Sequence, residues 1–267
     1  MFRTQPIDRI GFGEEYFWAV ERRLETGGKV ERFPFSFSLE SLSDNDPDVR
    51  ARAASNLLDQ NGEPEVIVQR MIELMANEQT LYEAILVLRE LGLDASPAVP
   101  ALAKALSHED EEIRLMAAEA LRAIGPQAKG AVPELLKALD DKELIVRMPA
   151  VLALGSIGLE AHTAAAKIRS LQKSDDKLLN VCALWALEKI EPDEGRLKTK
   201  TMPALINYMR DEDPEVRTAA ALAVLQLQPE ADVVTDPALR ADVFLTLGQI
   251  GPAAQGAIAS AIEALRD

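Results

Sequence analysis

In VPELLKAL, residues 132–139, apolar residues recur three and four apart after a proline, the spacing of a helix that buries one face. The acidic run DDKE follows and can satisfy the free amides at the start of a second helix. That helix is predicted over IVRMPAVLALGSI, residues 145–157, with Gly158 marking its end. Residues 98–125 repeat the pattern: laid over 131–158 they agree at 13 of 28 positions, every one apolar, Pro, Gly, Lys or Arg. Gly92, Gly125 and Gly158 fall at equal intervals, and Pro100 and Pro133 are separated by the same interval. A fixed period of roughly 33 residues predicts a solenoid, in which a helix pair buries its apolar face only by stacking on its neighbours. The second-helix pattern recurs at 46–58, 81–92, 177–190, 213–227 and 238–251.

The expected fold is therefore all-α, an α-solenoid of about seven antiparallel helix pairs over residues 33–267, each with a first helix (A) and a second helix (B). The last unit is irregular, since Leu239 follows Val216 too closely for a full first helix to fit between them, and QGAIASAIEALRD is expected to shield the end of the core. Residues 1–32 read differently. Eight of the twelve aromatics precede residue 38, and GEEYFWAVERRLE forms one amphipathic helix with Phe17, Val20 and Leu24 on a face. This segment is expected to be an aromatic-rich helical cap over the first repeat, with a docking helix for another protein as the alternative.

The unit VPELLKALDDKELIVRMPAVLALGSIG resembles a HEAT repeat of the short variety found in bilin (phycobilisome) lyases. The resemblance implies a proline in helix A, an Asp eight residues later and an Arg six after that, with the Asp and Arg forming a polar ladder between units. Pro133, Asp141, Arg147 and Pro203, Asp211, Arg217 match it, and Asp44 with Arg50 supply the pair in the first unit. His108 replaces the Asp before Arg114, Asn180 stands in an Arg position, and Arg240 has Val234 in the acidic place. The ladder is thus expected to be interrupted around the fifth unit and the last, and Arg147 is expected to bond Asp141 and adjacent units.

Net charge changes the choice of partner. At −15, with the charges of residues 1–32 cancelling, all of the excess lies in the repeats. Duplex DNA or an anionic membrane is a poor partner for such a chain, because phosphate binding relies on Lys and Arg displacing counterions. Much of the excess clusters in the turns that start the B helices, DNDPD, HEDEE, DDKE and DEDPE. Capping explains one or two acids per turn; the rest suggest an acidic recognition edge for a protein or peptide, preferably basic.

Catalytic constellations are scarce. His108 and His162 lie far apart in the sequence and form no local metal cluster, and the single His108–Glu109 pair falls short of the several His-Glu pairs of a HEAT-type di-iron hydroxylase. DNDPD lacks the Gly and Glu of a calcium loop, having Val49 and Ser55 in their places. No Gly-rich phosphate loop or nucleophile elbow occurs. Cys182, the one cysteine, has no adjacent His or Lys to activate it. No cofactor, no metal and no enzymatic activity are expected, and a cytoplasmic location is the default.

The candidate binding surface is a stripe on the B helices. Aligning them by their ends puts Ser55, Leu86, Glu119, Leu152, Trp185, Leu222 and Leu245 in one column. Met116, Pro149, Cys182 and Ala219 form a second. Leu86, Met116, Leu152, Cys182, Trp185, Leu222 and Leu245 are the expected contact residues on a concave face, with Trp185 as anchor; the same residues would otherwise be inter-repeat core. The function expected is a protein-binding scaffold, the alternative an auxiliary subunit of a lyase or maturation enzyme binding a modified peptide or bilin.

Overall fold

The computed structural model describes residues 64–227. The expected cap (1–32), the helices at 46–58 and 238–251, and Asp44, Arg50 and Leu245 lie outside the described residues. Within them the chain folds into five antiparallel pairs of α-helices. These are α1 (Pro64–Leu74) with α2 (Leu81–Leu91), α3 (Val99–Ala105) with α4 (Glu111–Ile124), and α5 (Val132–Ala138) with α6 (Leu144–Ile157). The last two pairs are α7 (Ala165–Leu171) with α8 (Lys177–Ile190) and α9 (Met202–Tyr208) with α10 (Pro214–Gln226). With the sequence pattern at 46–58 assigned to unit 1, these are units 2 to 6. Among the described residues there is no strand.

Each punctuation mark in the sequence has a physical job. Gly92, Gly125 and Gly158 end the B helices at φ of 55°, 69° and 73°, a region that side chains with a Cβ rarely enter. From each of them a 3-10 turn leads into the next A helix, and Pro100 and Pro133 sit in the first turn of that helix, where no amide partner is lost. Two alanines per turn, Ala95 and Ala98, Ala128 and Ala131, Ala161 and Ala164, are fully buried, so the turn can lie flat on the neighbouring unit. Asp110, Asp176 and Asp213 cap the B helices, each carboxylate accepting a backbone amide at 2.8 Å.

The B helices α2, α4, α6, α8 and α10 pack successively against one another along their length, while the short A helices α3 and α5 barely touch. A layer that packs closely beside one that splays curves toward the close layer. The B helices therefore form the concave side. Buried leucines, isoleucines, valines and alanines between the two layers make one continuous core.

Among the described residues the fixed period fails once. Met202 follows Ala165 by more than one period, and the extra residues fall between α8 and α9, where α8 ends without a glycine. Arg196 replaces that cap. Its guanidinium bonds the carbonyls of Leu187 and Glu191 and pairs with the buried Glu188 at 2.8 and 3.0 Å. Thr201 also donates to Glu188. These bonds satisfy Glu188 in place, and its hydrogen bonds hold the Arg196 guanidinium above its usual pKa.

Candidate binding face and inter-repeat ladder

Along the first column, α4 presents Leu115, Glu119 and Arg122, and α6 presents Ile145, Met148 and Leu152, each half-buried or exposed. Tyr82 and Leu86 on α2, Leu178 on α8, and Leu222 and Leu225 on α10 continue the line. Most are half-buried leucines resting on the core; Ile145 is 45% exposed. An apolar stripe thus crosses all five described units. At its α2–α4 end it is interrupted by Arg89, which bonds Glu90 and lies 3.5 Å from Glu119.

Of the expected contact residues, Leu86, Leu152 and Leu222 occupy this face. Met116, Cys182 and Trp185 do not: they are buried, at 6, 9 and 7% exposure, between successive B helices. The second column lies one position too far along the helix. A step of one residue turns a helix by about 100°, so Met116 and Pro149 point at neighbouring helices, whereas Leu115 and Met148 face solvent. Trp185 stands in the first column, yet its indole lies over Gly155 of α6. A Cβ added at Gly155 would collide with the ring at Cζ3. The missing side chain on α6 is the slot that takes the ring, so Trp185 is inter-repeat core. Gly155 was the available signal, a glycine inside a helix that is otherwise continuous.

Burial also decides the chemistry of Cys182. Desolvation raises its thiol to about 12, which keeps it protonated at neutral pH and unfit as a nucleophile. Among the described residues no group of His, Cys, Asp and Glu is arranged to hold a metal ion. His108 has a structural task. Its Nδ1 accepts the Asp110 amide at 3.1 Å, which leaves Nε2 to donate to Glu78 at 3.0 Å and ties units 2 and 3 together.

The ladder runs along the edge formed by the A–B turns, and its pairing differs from the expectation. Asp141 accepts from Arg114 of the preceding unit, at 2.7 and 3.0 Å, and Arg147 of its own unit does not reach it. Arg114 uses its remaining donors on the carbonyls of His108 and Glu109. This pair is nearly buried. Desolvation raises the Asp141 pKa, but the Arg114 hydrogen bond and the Glu143 amide outweigh it and hold the carboxyl below its usual range. Asp211 likewise takes Lys177 of the preceding unit, at 2.8 Å, while Arg217 bonds only the carbonyls of its own turn. At these two boundaries the rule is Arg or Lys of one unit to Asp of the next.

At the boundary of units 4 and 5 that rule has nothing to act on. The position one period after Asp141 is Ser174, whose hydroxyl accepts the Asp176 amide as Asp141 accepts that of Glu143. The Arg147 side chain consequently has no hydrogen bond or ion pair among the described residues, and its Nε is buried without an acceptor. Asn180, in the next Arg position, donates to the Ser174 carbonyl and leaves its own Oδ1 unbonded. The interruption expected near the fifth unit is present, and its cause is Ser174 as much as Asn180.

One stretch, Leu144–Leu171, is long and apolar enough by composition to cross a membrane. It comprises α6, a 3-10 turn and α7, and half of its most apolar window is buried inside the molecule.

Comparison with known proteins agrees with this architecture. Models described as HEAT repeats match residues 68–155, 99–188 and 201–231, together more than half of the chain. A search of the curated proteins finds no match. Among solved structures, the complex of CpcE and CpcF of phycocyanin lyase from Nostoc sp. PCC7120 contains a similar chain. The likeness has a TM-score of 0.62 at 18% identity and covers 90% of this chain and 99% of that one. A designed armadillo repeat protein is similar at a TM-score of 0.48 and 19% identity, over 71% of this chain and 98% of that one. With its evenly spaced helix pairs, glycine-terminated B helices and inter-repeat ladder, the chain belongs to the HEAT-repeat family.

Proposed function

We propose that this chain is a non-catalytic protein-binding scaffold that engages its partner with the exposed face of the B helices. The observation that carries the reading is the row of half-buried apolar residues Leu86, Leu115, Met148, Leu152, Leu178 and Leu222, one or more on the B helix of each of the five described units. Contiguous apolar surface of this kind suits the apolar face of a helix or extended segment. Charge supports a basic flank on that partner. Along the A–B edge the carboxylates of Glu109, Glu111, Glu112, Asp175, Glu212 and Glu215 are exposed and take part in no ion pair among the described residues. Such charges contribute mainly to association rate and partner choice.

The test is to capture partners, map their cross-links on this chain, and repeat the capture with Ile145→Asp and Leu152→Asp. Cross-links clustered on the B face, and loss of the partner from both folded variants, are expected. Cross-links confined to the A helices, with capture unaffected, would refute the reading.

A second reading, an auxiliary subunit of a lyase or maturation enzyme, draws on the similarity of shape to a chain of the phycocyanin lyase complex. It requires bilin or modified-peptide binding. A visible absorbance change on mixing the purified chain with a bilin supports it, and an unchanged spectrum at saturating pigment rejects its bilin-binding form.

A further inference from the structure

Two clefts open between successive A helices near the A–B turns, at equivalent places one repeat apart, and they differ in kind. The cleft between units 3 and 4 holds about 320 Å³ and is lined by charge: the Arg114–Asp141 pair, Glu134 and Lys137. Its counterpart between units 2 and 3 holds about 810 Å³. One period before Arg114 stands Leu81, one period before Asp141 stands His108, and one period before Glu134 stands Ala101. The larger cleft therefore lacks the ion pair and the glutamate side chain, and Ile72, Met75, Leu81 and Ala101 give it apolar walls. Ile72, Met75 and Ala101 are only half-buried, so α1 and α3 leave this apolar surface open to water. Sites that bury a ligand or an anchoring side chain have volumes of about 300–1,000 Å³ and mostly apolar linings, and this cleft has both.

The rim selects by charge. Glu78 and Glu109 line the cleft, and Glu78 is bonded to His108. Beside them the turn continues through Asp110, Glu111 and Glu112, which with Glu109 are exposed and in no ion pair among the described residues. Lys104 is the one lysine or arginine among the described residues of the lining. An apolar cleft bordered by unpaired carboxylates favours an occupant that brings apolar bulk together with positive charge.

We propose that the cleft between units 2 and 3 is a docking site for a partner segment in which a large apolar side chain, seated against Met75 and Leu81, is followed by lysines or arginines that meet the acids of residues 109–112. The cleft lies between A helices, apart from the B-helix face, and stands whether or not that face binds a partner.

The test uses the full chain with isotope-labelled methionine and isoleucine methyl groups, and follows Met75 Cε and Ile72 Cδ1 by NMR. Acetyl-Gly-Phe-Gly-Lys-Lys-amide is expected to shift both resonances saturably. Replacing its Phe by Ala, or its two lysines by Glu, is expected to weaken binding about tenfold, since the first removes the anchor and the second opposes the rim. These control peptides are read on the wild-type chain and decide the question without any variant. Ala101→Phe, which fills the cleft from its wall, is expected to abolish the response in a folded chain. No saturable shift at Met75 and Ile72, an equal response to the alanine or the glutamate peptide, or binding that survives in folded Ala101→Phe would overturn the proposal. Methyl shifts that follow protein concentration with no peptide present would give the cleft to a second copy of this chain and overturn it as well.

Discussion

The boundaries on the two sides of α6 are built from the same template and closed in different ways. Toward α4, a nearly buried Arg114–Asp141 pair ties two units at their edge, and the B helices meet through side chains of ordinary size. Toward α8 that nearly buried pair is absent, an exposed Lys167–Asp140 pair spans the boundary instead, and a large ring, Trp185, is seated in the slot that Gly155 leaves. Two of the four buried side-chain atoms that lack a hydrogen bond among the described residues, Arg147 Nε and Asn180 Oδ1, belong to the ladder positions of α6 and α8. A third is Trp185 Nε1. One boundary adds a nearly buried bidentate ion pair, and the other adds a large packed ring beside an exposed Lys167–Asp140 pair. A repeat protein tolerates this because each interface contributes separately, so a polar tie lost at one place is offset by apolar area at that place.

The largest expected effect of breaking this contrast is at Trp185. Trp185→Ala leaves a cavity against Gly155 and is expected to cost about 4 kcal/mol, measured by denaturant unfolding. Gly155→Ala drives a methyl into the ring and is expected to cost about 2 kcal/mol, most of it recovered in the double variant with Trp185→Leu. Failure of that rescue would mean the ring and the slot are not complementary.

Next come the two arginines. Arg114→Ala strands Asp141 and two turn carbonyls and is expected to cost about 3 kcal/mol. Arg147→Ala removes no bond and is expected to stay within about 0.5 kcal/mol of wild type. Equal losses would erase the distinction between the closed and open positions.

Of the two boundaries of α6, acid should act on the closed one. The Asp141 pKa is lowered in the folded chain, so its contribution is fully present above the unfolded value and disappears as pH falls through the folded value. Tm measured against pH is expected to fall on the acid side of the ordinary carboxylate range, less steeply in Asp141→Asn than in wild type. The smallest effect is chemical: at pH 8 the thiol of Cys182 should react with a thiol reagent only as fast as the chain opens, and rapid labelling of the native protein would contradict its burial.

Much of this molecule was legible in the residue pattern. The repeat period, glycines at the B-helix ends, prolines at the A-helix starts and aspartate caps each rest on local chemistry, since a left-handed backbone, a missing amide and a short carboxylate act within a few residues of where they are written. Apolar spacing marked the amphipathic helices, because helical periodicity and burial are tied by geometry, although it put Met116, Cys182 and Trp185 on the binding face, where the structure buries them. The ladder positions were visible as well, although the pairing was not: Asp141 is much nearer in sequence to Arg147 than to Arg114, and the nearer residue is not its partner.

Only the tertiary structure decided how neighbouring units meet. Packing of one B helix on the next set the direction of each side chain around its axis, putting Leu115 and Met148 outside and Met116, Cys182 and Trp185 inside. It also gave Asp141 to Arg114, fitted the indole of Trp185 to an absent side chain on another helix, and left Arg147 facing a serine. A sequence states what each residue can do within its own few turns, while the bond it makes depends on what the next unit brings within about 3 Å.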